Sequence, residues 1–107
     1  MIDIQVQETI KEQVEKAIRL LQEVTRKSAR NSWTMLANHG AVGMLVRLMS
    51  PSESVVQSGF KALHRAGLLH ESFESIVIRH KDLFDSIDPQ VAVVAQFRFD
   101  NADELCR

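Results

Sequence analysis

Ile10, Val14, Ala17, Leu21 and Val24 recur at intervals of four and three near the start of the chain, and Ile18 widens the stripe. That spacing is the apolar face of an amphipathic helix. Glu12–Lys16, Glu15–Arg19 and Glu23–Lys27 place an acid four residues ahead of a base, each pair adding about 0.2–0.5 kcal/mol. Neither Gly nor Pro interrupts the first 39 residues, and the spacing predicts a long helix over about 5–28. Asn31 or Ser32 is placed to cap a second helix through Trp33, Leu36 and Ala37. Gly40 and Gly43 each cost about 1 kcal/mol inside a helix relative to Ala, so a break or kink is expected near His39–Gly40. Apolar positions resume at Ala41, Met44, Leu45 and Leu48.

Ser50-Pro51-Ser52-Glu53 has the form of a capping box with Pro at the first helical position. The helix it opens carries Val56, Phe60 and Leu63 and is expected to stop at Gly67. A fourth helix starts near His70 and carries Phe73, Ile76 and Val77. Its Ile-Val-Ile run also suits a strand, but an isolated strand has nothing to pair with. Asp88-Pro89 repeats the cap-plus-proline signal, and Val91, Val94 and Ala95 predict a last helix to about Phe97. Asp100 to Arg107 reads as a polar, frayed tail. The expectation is an all-α, compact bundle of about five helices, one long and the rest short. They form a single helical domain over 1–107, with helical hairpins over about 32–98.

Composition narrows the function classes. The chain has 107 residues, 13 Lys+Arg, 14 Asp+Glu and 45% hydrophobic residues, which fits one ordinary globular domain. No apolar run reaches the ~18 residues of a membrane span. The first residues lack a basic stretch followed by an apolar one, so neither a secretory signal nor a membrane partner is expected. The single cysteine, Cys106, forms no disulfide framework. These features point to the cytoplasm. Charge is uneven: residues 1–66 hold nine basic and six acidic residues (+3), and 67–107 hold four basic and eight acidic (−4), which sum to the net −1. Such asymmetry marks either solvated helix faces or a partner-binding surface.

Two resemblances go with these patterns. The run Gly40 to Met49, then Ser50-Pro51, Val55-Val56 and Ala62-Leu63, resembles a single armadillo repeat over 40–66. Solenoids need about three stacked repeats, and no second copy is visible. Gly40-Ala41, Ser58-Gly59-Phe60, Leu63, Gly67, Leu69, Glu74, Val77 and Leu83-Phe84 together resemble an uncharacterised family of small helical bacterial proteins over about residues 38–85. That resemblance implies a prokaryotic, cytoplasmic, helical protein and assigns no catalytic residue.

For catalysis the candidates are few. His39, His64, His70 and His80 make no His-x-x-x-His or Glu-x-x-His pair, so no metal site is expected. His70 and Glu74 read as a surface pair. Arg65 and His70 have the Arg-x4-His spacing of the HEPN-type ribonucleases. That resemblance implies a phosphate-polarising Arg65 and an acid–base His70. Ala66 stands where that motif has a polar residue, and Gly67 separates the two. Ser58-Gly59 is read as a helical site of close approach, not a nucleophile turn. No cofactor and no catalytic residue is assigned.

Binding remains. The leading expectation is a non-catalytic protein-interaction module whose first helix docks an unidentified partner protein or a second copy. Ile10, Val14, Leu21 and Trp33 would make the contact, with Arg26 and Arg30 steering it. The alternative is a small nucleic-acid-binding protein using Arg26, Lys27, Arg30 and Trp33 as a basic patch with a stacking ring.

Overall fold

The computed structural model describes residues 3–49 and 58–106. Among them are seven α-helices, one 3-10 turn and no strand. The all-α expectation therefore holds, with seven helices in place of about five.

Helix α1 spans Ile4–Thr25, with the Asp3 carboxylate accepting the Gln5 N–H at 2.7 Å as its N-cap. It stops three residues before the predicted end. Arg26 enters the left-handed region at φ 58°, and its N–H bonds Gln22 O at 2.9 Å. This is the usual backbone of a helix end, here without the glycine that normally signals it.

Helix α2, Arg30–Leu48, kinks at Gly40 (φ 72°, ψ 170°), where the glycine spacing predicts a break. Its start differs from expectation: Asn31 and Ser32 lie inside the first turn, and the cap position belongs to Ala29, which offers no side-chain acceptor. Gln22 holds this corner instead. Its Oε1 accepts the Ala29 N–H at 3.3 Å and the Trp33 indole N–H at 2.7 Å.

The capping box Ser50-Pro51-Ser52-Glu53 and Val56 lie outside the described residues. Helix α3, Ser58–Arg65, ends as predicted around Gly67, at φ 73°. Leu68 N–H reaches Leu63 O at 2.8 Å and Gly67 N–H reaches His64 O at 3.1 Å, the paired bonds of a Schellman ending. A Cβ added at Gly59 would meet Leu21 Cδ2 at 3.0 Å, so Gly59 does mark a close helix approach, between α3 and α1.

After the 3-10 turn Leu69–Glu71 come α4 (Phe73–Arg79), α5 (Lys81–Ile87), α6 (Pro89–Asp100) and α7 (Ala102–Leu105). Ser72 caps α4 by accepting the Ser75 N–H at 3.2 Å, and Asp88 caps α6 by accepting that of Gln90 at 3.0 Å. Two corrections concern the C-terminal part. Helix α4 gives way to α5 at His80, whose backbone (φ −115°, ψ 35°) leaves the helical region. The tail expected to fray forms α7, because Ala102, 4% exposed, packs against Phe60.

All of α1 to α6 contribute to one core. Ile10, Val14, Ala17 and Ile18 of α1 meet Met44 and Leu45 of α2, Leu63 of α3, Ile76 and Val77 of α4, Phe84 of α5, and Val91 and Ala95 of α6. Each large side chain among them is worth about 1.5–3 kcal/mol in burial. The radius of gyration, 12.9 Å, matches the ~13 Å of a compact chain near this length. Of the acid–base ladder predicted along α1, Lys16 turns to Glu71 at 3.3 Å, tying α1 to the 3-10 turn.

Candidate functional site: a cation-rimmed cleft

The apolar residues expected to meet a partner are spent inside the chain. Ile10 and Val14 have no exposed surface and Leu21 is 8% exposed, so the α1 stripe is core. The reason is geometric: α2, α3 and α4 all pack on α1. Val24 at the end of the stripe, and Leu20 beside it, are partly buried and also pack against that core. Trp33 is half-buried at the α1–α2 corner, its indole N–H held by Gln22. It is therefore placed as a structural ring and not as an open stacking platform.

The cations are placed differently. Between the end of α1, the start of α2 and the α3–α4 segment lies a cleft of about 830 Å³, within the usual range for ligand pockets. Val24, Ala62 and Ala66 give it accessible apolar lining, while Leu21, Phe60, Leu63 and Phe73, which also border it, are buried. Lys27, Arg30 and Arg65 line it, together with the polar residues Ser28, Asn31 and Ser32. All three cations are exposed. Among the described residues none of them stands within ion-pairing distance of a carboxylate. Arg26, capping α1, does not line the cleft, nor does Trp33. The predicted patch is thus divided: Lys27 and Arg30 face the cleft, while Arg26 and Trp33 do not. Arg65, considered above for ribonuclease chemistry, joins Lys27 and Arg30 there. This grouping was not foreseen, since nothing in local spacing pairs residues 27–30 with 60–74.

Among the described residues that line the cleft, Glu74 is the one carboxylate. It is 5% exposed, and its Oε2 lies 3.3 Å from Arg98 Nη1. That guanidinium also donates to Leu48 O at 2.9 Å, linking α6 to α4 and to the end of α2. Burial pushes the Glu74 carboxyl above its ordinary value of 4.5, against the opposing pull of hydrogen bonding and of Arg98. A folded state that holds this proton more tightly than the unfolded chain gains stability that is complete below about 4.5 and is lost as pH rises through the folded value. The unfolding free energy of wild type minus that of Glu74→Gln is therefore expected to fall as pH rises above 4.5. Urea titrations over that range check it; a difference that grows with pH contradicts it.

The remaining chemistry-bearing groups are dispersed. Arg65 ends α3, whereas His70 sits beyond the Gly67 turn, exposed, with Nε2 3.8 Å from Glu71. The pair His70–Glu74 does not form, because Glu74 is committed to Arg98. His64 and Asp103 meet at 2.8 Å, and His80 meets Gln13 at 3.0 Å; both contacts join helices. Burial raises the Cys106 thiol above its ordinary range. No group of three or more His, Cys, Asp or Glu side chains suited to a metal ion occurs among the described residues. No described helix is long and apolar enough to cross a membrane. No family model, curated protein or solved structure matches the chain.

Proposed function

We propose that this protein is a non-catalytic helical interaction module that binds a partner protein by occupancy, with the cleft between α1, α2 and α3 as its contact surface. One observation carries the reading: apolar walls and three exposed cations share a single concavity. Interfaces of this kind combine an apolar anchor with charges that set orientation and encounter rate. The setting we propose is a bacterial cytoplasm.

The contact set expected on α1 is revised accordingly. Ile10, Val14 and Leu21 hold the fold, Arg30 stays in the contact, and Lys27 and Arg65 join it. Self-association needs another surface, and the open apolar residues one turn apart on α6 are Val93 and Phe97, each more than half exposed. Should the chain pair with a second copy, its mass in sedimentation rises with concentration, and Phe97→Asp abolishes that rise without lowering the melting temperature. An unchanged rise in Phe97→Asp excludes α6.

The module reading is tested by affinity capture from the source organism with the tagged protein and with Ala66→Trp, before and after nuclease treatment. Ala66 is exposed and lines the cleft, so the indole adds bulk there without entering the core. The expected result is a stoichiometric protein that survives nuclease and is lost with Ala66→Trp. Partners that vanish with nuclease, together with recovered nucleic acid, transfer the cleft to the nucleic-acid reading. A protein retained by Ala66→Trp places the contact elsewhere.

A further inference from the structure

We infer that the segment held in this cleft is acidic and carries a large apolar side chain, its carboxylates set against Lys27, Arg30 and Arg65 and its apolar group against the accessible apolar lining of Val24, Ala62 and Ala66. The inference rests on the reading of the cleft as the contact surface, and adds the chemistry of what enters it.

Charge is the first ground. The three cations converge on one concavity, and none is within ion-pairing distance of a carboxylate among the described residues. The only acid among the described lining residues, Glu74, is buried and committed to Arg98. Uncompensated like charges repel one another and are relieved by a ligand of opposite sign. The first turn of α2, which borders the cleft, contains no acid and has no side-chain cap, so its backbone dipole adds to the same preference.

Shape and wall chemistry are the second ground. A cleft of about 830 Å³ exceeds what a bare inorganic anion fills, and its apolar lining at Val24, Ala62 and Ala66 gains nothing from one. An extended polypeptide offers both groups within a few residues, because successive side chains along it alternate in direction at about 3.3 Å per residue. A nucleic-acid strand would match the cations but needs an open ring for its bases, and the lone indole, Trp33, is hydrogen-bonded to Gln22 outside the lining.

The test is a selection of random displayed dodecapeptides on the full-length protein. Binding of the most enriched peptide, fluorescein-labelled, is then measured to wild type, to Arg30→Glu/Arg65→Glu and to Ala66→Trp. Both variants alter exposed positions, and equal helicity and melting temperature establish that they fold. The expected peptides place Asp or Glu beside Leu, Phe or Trp. Binding is expected to weaken at least about tenfold in each variant, which corresponds to about 1.4 kcal/mol or more. Peptides without acidic bias that bind the double charge reversal as well as wild type, yet fail on Ala66→Trp, overturn this inference and leave the cleft reading standing. Peptides insensitive to both variants, or no enrichment at all, overturn both.

Discussion

Arg98→Met is expected to destabilise the fold by about 3–5 kcal/mol, the usual consequence of leaving one partner of a buried ion pair behind. Arg98 and Glu74 are each 5% exposed, and the guanidinium also serves the Leu48 carbonyl. Its removal strands the Glu74 charge and a carbonyl at the end of α2 at the same time. A domain of this size has a total stability of about 5–15 kcal/mol, so the variant stands near its folding threshold. Replacing both partners, Arg98→Met with Glu74→Leu, removes the orphaned charge and is expected to recover part of the loss, leaving the cost of the unpaired carbonyl at about 1–3 kcal/mol. Urea unfolding of the two single variants and the double checks this. A double variant no more stable than Arg98→Met would show that the pair's charge is not what the fold depends on.

Val14→Asp is the second large effect. Val14 has no exposed surface and lies among Ile10, Ala17 and Ile18 in the core, where a carboxylate has no partner and water is excluded. Burying an isolated charge costs far more than a typical mutation, and the variant is expected to be unfolded at neutral pH. The milder Ile10→Ala is expected to cost about 2–5 kcal/mol, through lost burial and the void left behind. Circular dichroism and sedimentation of both variants separate this outcome from its rival. A Val14→Asp chain that stays helical and only loses oligomer mass would return α1 to the role of an intermolecular seam.

That rivalry shows where sequence reading stops. The interval of Ile10, Val14, Ala17 and Leu21 reports that one face of α1 is covered, and it reports this reliably because a long helix repeats its signal several times. It cannot report whether the cover is the same chain or another. Here α2, α3 and α4 supply it. Local stereochemistry was equally legible: the kink at Gly40, the close approach at Gly59, the turn at Gly67 and the Asp88-Pro89 start of α6 each depend on residues adjacent in sequence.

Breaks without such residues stayed invisible. Helix α1 ends at Arg26 in a left-handed conformation with no glycine, and α4 parts from α5 at His80 with neither Gly nor Pro. Helix α7 exists because Ala102 finds Phe60, more than forty residues away in sequence. The cleft is of this long-range kind. Lys27 and Arg30 stood out as cations at a helix boundary, but their grouping with Arg65, and the apolar lining they share with Ala62 and Ala66, arise only when α3 folds back beside α1. Trp33 shows the converse: its ring suggested a ligand contact, whereas a hydrogen bond to Gln22 gives it a place in the α1–α2 corner.

The most direct test of the account is amide chemical-shift mapping of the full-length isotope-labelled protein, titrated with the selected acidic, apolar peptide. The account predicts that the largest shifts fall on residues 27–32 and 59–66, on the two sides of the cleft, and that Arg30→Glu/Arg65→Glu removes them. Shifts confined to α1 or to the Val93–Phe97 face of α6, with those two stretches unmoved, would contradict it.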